Sequence, residues 1–298
     1  MKNVKPYTVS LLIPTYNEAK NIRELIDRLL KQKISENFIL EKIAVVASGC
    51  TDETEKIVKQ FDGKVRLLTQ ITRDGKASAI NFFLKNDDTD IVIIQSADTL
   101  PSNDYTINNL LNPFLNEKTG LTSGRPIPFN NSRKFANLIN SSLWHLHHQV
   151  SLRCPPKVGE IIAFRNIVSL IPKNTAADEE SISALIQQKG YEAVYVPDAV
   201  VYNKGPERVS ELVKQRKRIF IGHLWIKKNQ NYIAPSMNVL RLERVLINEV
   251  LKNPKKILTL TPLIFLEVII RLSAVYDFYI RKKNDYIWER INSTKRLV

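Results

Sequence analysis

The first hundred residues alternate short apolar runs with amphipathic segments, and that alternation leaves few folds open to the chain. Residues 9–14, 43–47, 65–69 and 91–95 have the length and the β-branched content of buried strands. Between them, Ile22, Leu25, Ile26, Leu29 and Leu30 recur at helical spacing. Thr51 is positioned to cap a second helix over DETEKIVKQF, whose acidic first turn complements the helix dipole. This βαβ order predicts an α/β fold with a mostly parallel sheet covered by helices.

In such a sheet, ligands gather outside the carboxyl ends of the strands. Four polar words stand there: PTYNE, ASGCTDET, DGKASAIN and QSADTLP. The second half is less regular. A helix is expected over 132–151, a strand over 161–164 and a helix over 178–189. Short strands at 194–196 and 200–202 precede a long basic helix from Val209. No internal repeat or low-complexity tract occurs.

With 298 residues, 44% of them hydrophobic, the chain can bury a large core and carry an appendage. Cys50 and Cys154 lie far apart and in no metal-ligand spacing, so neither a disulfide framework nor a zinc site is expected, and a reducing, cytoplasmic compartment fits. The apolar stretch near the N-terminus is too short for a signal peptide and lacks a cleavage site. Net charge is +14, and residues 201–298 contribute 20 basic against 8 acidic side chains. That asymmetry calls for an anionic partner: a phosphate-bearing substrate, an acidic membrane surface or a nucleic acid. No nucleic-acid reading motif accompanies the charge, so nucleic acid is not expected.

Taken in order, IPTYNEAKNI, GCTDET, GKASAIN, SADTLP, VGEIIAFR, ADEESISALIQQKGY and VPDAVVYNKGPERVSELVKQRKRIFIGH resemble family 2 glycosyltransferases over about residues 9–223. The resemblance implies a GT-A-type nucleotide-sugar-binding fold with a C-terminal helical extension. It divides the chain into a catalytic domain over 1–230 and a basic, amphipathic extension over 231–298. It also implies a nucleotide-sugar donor, a UDP-sugar ahead of a GDP-sugar, an inverting transfer to an acceptor hydroxyl, and a divalent cation, Mn²⁺ or Mg²⁺.

Residue by residue, Asp98 is the candidate metal ligand. The family's Asp-x-Asp reads Ser96-Ala97-Asp98 here, so a hydroxyl replaces one carboxylate. An inverting transfer needs a base for the acceptor hydroxyl. Counting back from Gly190, the family's Glu-Asp pair falls on Asp178 and Glu179, with the two acid types exchanged and Glu179 in the base's position. A purely helical role for these acids, as a negative first turn, remains open. Gln215 and Arg218 match the family's Gln-x-x-Arg-Trp and share a helix face, with Ile219 where the tryptophan belongs. Arg218 can fork onto phosphate oxygens. In the family that tryptophan commonly stacks on the acceptor sugar of chain-extending synthases, so its absence argues against processive polymerisation.

Thr15 and Glu18 match residues that bond base and ribose. In the common Asp-Asp-Gly-Ser segment, Ala47 and Ser48 stand in place of the two acids, while Asp52 is a candidate either for the donor or for the helix start. Lys76 belongs to a Gly-Lys-x-x-Ala-x-Asn motif and can meet the diphosphate, and Arg165 has a similar status. Among the histidines of WHLHHQ, His145 and His148 are at i, i+3 spacing without an acidic neighbour, and a structural or acceptor-lining role is expected.

Residues 257–280 form an apolar stretch bracketed by Lys255 and Lys256 and by Arg281, Lys282 and Lys283. Their longest uncharged run, ten residues including Pro262, falls short of the roughly 20 apolar residues of a clean span. An interfacial helix is expected, with Tyr276, Phe278, Tyr279 and Trp288 near the headgroups, a peripheral contact at the inner face of the cell membrane and a lipid-linked or membrane-presented glycan acceptor. A C-terminal extension packed on protein is the alternative. Two functional rivals remain: a nucleotidyltransferase, which lacks its glycine- and arginine-rich loop here, and a non-catalytic nucleotide- or sugar-binding protein on a degenerate scaffold.

Overall fold

The computed structural model describes residues 5–129, 135–153, 155–284, 286–287 and 294. Cys154, Trp288 and the expected helix start at Ser132 lie outside them. One eight-stranded sheet organises the fold. In chain order its strands are β1 (Tyr7–Thr15), β2 (Phe38–Ser48), β3 (Arg66–Gln70), β4 (Ile91–Gln95), β5 (Thr99–Pro101), β6 (Thr119–Pro128), β7 (Ile161–Arg165) and β8 (Glu192–Asn203). Their spatial order is β3-β2-β1-β4-β7-β6-β8-β5. The β3-β2-β1-β4 half is parallel throughout, and β7 enters antiparallel between β4 and β6.

Alternation along the strands builds two cores, because successive side chains point to opposite faces. Val9, Leu11 and Ile13 join Val45, Ile93 and Ala163 on one face, under α1 (Ile22–Leu30), α2 (Thr54–Val58) and α4 (Thr106–Leu111). Leu12, Val46, Val92, Ile94, Ile162 and Phe164 face the other way, under α3 (Lys76–Leu84) and α6 (Asp178–Gln188). With both faces covered, all five residues of β4 are buried.

Two local expectations need correction. The cap of α2 is not Thr51. The helix starts at Thr54, and the Asp52 carboxylate accepts from its N–H at 3.0 Å, while Thr51 is tied to Asn17. The two short strands around Pro197 are one strand, β8, whose pairing with β6 slips between Ser123 and Arg125. There Gly124 opposes the bulged segment, and a Cβ on it would lie 2.5 Å from the Ala199 carbonyl oxygen. β5, β6 and α4 were not foreseen, since their sequences lack a clean period.

Beyond the sheet, α5 (Phe135–Ser151), α7 (Val209–Gln230), α8 (Val239–Lys252) and α9 (Ile257–Tyr279) form a helical layer. Gly222 brings α7 close to the segment before α6, where a Cβ would sit 3.1 Å from the Ala176 backbone and from the Ala177 side chain. Two cations of α7 are paired with acids of α9. Arg216 forks onto Glu267 of α9 at 2.6 and 3.1 Å, and Lys217 pairs with Asp277 at 2.6 Å. These ion pairs dock α9 along α7. The other side of α9 exposes Leu258, Phe265, Val268, Leu272 and Tyr276. The ten-residue uncharged run points to a stretch too short for a span; instead one helix runs on through Pro262, Glu267 and Arg271, and by length and composition 254–279 is long and apolar enough to cross a membrane, with little of it buried.

Candidate active site

One cavity opens at the carboxyl ends of β1, β2 and β4, between the sheet and the helices α3, α5, α6 and α7. Thr15 and Glu18 line it at the end of β1 and Ser48 at the end of β2. The β1 turn is rigid: Asn17 adopts a left-handed φ of 53° and both its amide groups bond Thr51, while Glu18 accepts from Asn21 at 3.0 Å. Ser48 donates to Gln70 at 2.6 Å. Arg73 stacks over Tyr16 at 3.9 Å, and this pair, which the sequence did not single out, forms a wall of the same cavity. Asp52 is not in the lining. It holds the start of α2 and accepts from the Ala19 N–H at 3.2 Å.

Gly75, at φ 88°, turns the chain into α3 so that Lys76 enters the cavity from the first turn. The Lys76 ammonium ion-pairs with Glu179 and lies 3.3 Å from the Ser96 hydroxyl. Burial alone would depress the Lys76 pKa, but Glu179 and then Asp178 hold it above the ordinary lysine value. Burial would likewise raise Glu179, and Lys76 overrides it, so this carboxyl stays below its usual range. Asp178 is 2% exposed and stands behind Glu179, outside the lining; burial and the Glu179 charge push it up to about 7.

Ser96, Ala97 and Asp98 continue from β4 into the cavity. Because β7 runs antiparallel to β4, its start faces the same point, and the Ser96 N–H donates to the Glu160 carbonyl at 2.9 Å. Glu160, at a left-handed φ of 62°, directs a second carboxyl into the cavity, where burial and the Asp98 charge push it up to about 7. Its place in the site was not legible, because 61 residues lie between it and Asp98. Asp98 and Glu160 both line this part of the cavity, and two carboxyls of this kind, completed by substrate phosphates, have the oxygen chemistry that Mg²⁺ or Mn²⁺ takes.

On α7, Gln215, Arg218, Ile219 and His223 share the face that closes the cavity. α5 adds Trp144 and His147 to the lining, and Lys157 lies close enough to His147, His223 and Glu180 to act on their charge states. The C-terminal region also returns to the site: Thr294 lines the cavity, and Tyr286 lies against Gly75. Two sequence expectations fall elsewhere. Arg165 bonds the backbone carbonyls of Thr119, Phe114 and Asn116 and stays outside this cavity. His145 and His148 face different partners, and an acidic neighbour comes from α8: His145 bonds Glu249 at 2.6 Å, and His148 bonds the Tyr195 hydroxyl at 2.8 Å.

The family model for glycosyl transferase family 2 matches residues 10–186, more than half of the chain. The chain belongs to glycosyl transferase family 2. Among curated relatives, the poly-beta-1,6-N-acetyl-D-glucosamine synthase of Staphylococcus epidermidis is 22% identical over 227 residues, covering 70% of this chain and 53% of the relative. Its counterpart in Staphylococcus aureus (strain COL) is 24% identical over 224 residues, with the same coverage. The chain thus spans about half the length of these relatives. The mannosyltransferase PcManGT of Pyrobaculum calidifontis, solved with GDP-Man and Mn²⁺, superposes with a TM-score of 0.61 at 22% identity, over 96% of this chain and 86% of that one. Glucosyl-3-phosphoglycerate synthase of Mycobacterium tuberculosis, solved with Mn²⁺, UDP and phosphoglyceric acid, gives 0.52 at 17% identity, over 74% and 78%. These likenesses establish the GT-A fold of this family 2 member.

Proposed function

We propose that this chain is an inverting glycosyltransferase that moves one sugar from a nucleoside-diphosphate sugar to an acceptor hydroxyl. The observation that carries the reading is the convergence of Lys76, Asp98, Glu179, Gln215 and Arg218 on one cavity at the strand ends of a GT-A sheet. Thr15, Glu18 and Ser48 receive the nucleoside, with a UDP-sugar ahead of a GDP-sugar; the superposed structures with UDP and with GDP-Man support a nucleoside diphosphate of either kind. Asp98 and Glu160 hold the divalent cation. When bound, the cation neutralises the departing diphosphate.

The donor diphosphate draws the Lys76 ammonium away from Glu179, and Arg218 and Gln215 bond the remaining phosphate oxygens. Glu179, released and still ionised, takes the proton of the acceptor hydroxyl. The acceptor oxygen bonds the anomeric carbon from the face opposite the diphosphate, and the diphosphate oxygen leaves with the electron pair, so the configuration inverts.

The reading extends to location. The catalytic domain is residues 1–230, and the extension 231–298 rests its exposed apolar face of α9, bracketed by Lys255, Lys256, Arg281, Lys282 and Lys283, on the anionic inner face of the cell membrane. A lipid-linked or membrane-presented glycan is then the acceptor. The kinship with polysaccharide synthases supports a role in cell-surface glycan synthesis. Proton NMR of the product tests the chemistry: the linkage formed should have the anomeric configuration opposite to the donor's, and retention would refute it. Flotation with vesicles containing phosphatidylglycerol tests the location. Protein left at the bottom of the gradient at low salt would refute that part alone.

A further inference from the structure

We propose that Trp144 and His147 of α5, together with Ile219 and His223 of α7, form the acceptor subsite for an uncharged carbohydrate, with the Trp144 indole as its stacking platform. The proposal rests on reading the cavity as a glycosyl-transfer site. In the family's motif a tryptophan would follow Arg218, and this chain has Ile219 there. An aromatic plane is nonetheless present in the same cavity, brought by a different helix: Trp144 of α5 is one of its lining residues and is half-buried.

The indole is held in place. Its ring centroid lies 5.1 Å from that of His147, one helical turn on, at an interplanar angle of 52°. Around it stand groups suited to hydroxyls rather than phosphates. His147 and His223 are 7% and 3% exposed, and burial depresses both far below the usual histidine range, so each ring is neutral and both donates and accepts. Lys157 and Glu180 lie at the same end, where burial moves the lysine down to about 8 and the glutamate up to about 8. This end thus adds one basic and one acidic side chain to the lining, whereas the donor end gathers Asp98, Glu160, Lys76 and Arg218. A pyranose offers what fits: a C–H face for the indole and hydroxyls for the neutral rings and the carboxyl.

The test uses the full chain with UDP and Mn²⁺ and four probes: N-acetylglucosamine oligosaccharides, α-mannobiose, maltotriose and, as an anionic control, glycerol phosphate. Binding is read by saturation-transfer NMR, which needs no turnover, and UDP affinity reports an intact donor site. Wild type should bind at least one saccharide in preference to glycerol phosphate. Trp144→Ala should lose saccharide affinity about tenfold or more with UDP affinity unchanged, and Trp144→Phe should recover most of it. In turnover, the loss should appear in acceptor KM while donor hydrolysis persists. Saccharide binding equal in wild type and Trp144→Ala, no saccharide binding by wild type, or preference for glycerol phosphate would each overturn the proposal. A wild type that binds saccharide through Trp144 yet never cleaves a donor would instead refute the proposed reaction and leave the subsite standing.

Discussion

Replacing Lys76 by methionine keeps the length of the side chain and removes the cation that faces Glu179, Asp178 and Glu160. Breaking a buried ion pair from one side costs on the order of 3–5 kcal/mol. Here the two side chains are 26% and 14% exposed to the cavity, so about 2 kcal/mol at pH 8 is the expected loss. The pH dependence carries the sign. In wild type the Glu179 pKa is held below the unfolded value, so the pair stabilises above about pH 4.5 and fails only as pH falls through the lower folded value. Without Lys76, Glu179 joins Asp178 and Glu160, whose carboxyls already stand at about 7. All three then take up protons at pH 5, and the deficit shrinks to below about 1 kcal/mol there. Urea unfolding of both proteins at pH 5 and pH 8 measures this. A deficit equal at the two pH values, or larger at pH 5, would refute the electrostatic account of the Lys76–Glu179 pair.

Two further perturbations address other links. Glu160→Gln, like Asp98→Ala, should weaken Mn²⁺ binding in the presence of UDP by about tenfold or more, as read by the free-ion signal in electron paramagnetic resonance; unchanged Mn²⁺ affinity in Glu160→Gln would remove Glu160 from the donor set. Gly124→Ala forces a methyl group to 2.5 Å from the Ala199 carbonyl oxygen at the β6–β8 bulge, so it should destabilise by about 2–3 kcal/mol and lower the melting temperature, with no such loss expected if the bulge can simply shift.

Much of this fold was legible because the first half is locally consistent. The apolar runs ending at Pro14, Ala47 and Gln95 needed only their period and length to become β1, β2 and β4, and the polar words after them fell at strand ends because a parallel sheet puts them there. The right half was harder. β6 contains Gly120, Gly124, Pro126 and Pro128, a composition that reads as loop, and it forms a strand because β7 and β8 flank it. Local sequence named Asp98, Lys76, Glu179, Gln215 and Arg218 through motifs. It could not name Glu160, Trp144 or Lys157, whose relation to the site arises only when β7, α5 and the loop before β7 are brought to one cavity. Asp52 shows the converse: its motif position suggested a ligand contact, and its carboxylate is engaged in starting α2. The basic helix from Val209 was legible as a helix, but the destination of Arg216 and Lys217 depended on acids 51 and 60 residues later in α9.

Glu179 and Asp98 are proposed to serve one glycosyl transfer. Release of nucleoside diphosphate from a panel of UDP- and GDP-sugars, with Mn²⁺ and a membrane extract as acceptor source, tests it most directly. Wild type is expected to turn over one donor, and Glu179→Gln and Asp98→Ala, both folded, are expected to lose that turnover by a factor of at least about a hundred. No turnover with any donor, or a Glu179→Gln variant as active as wild type, would contradict it.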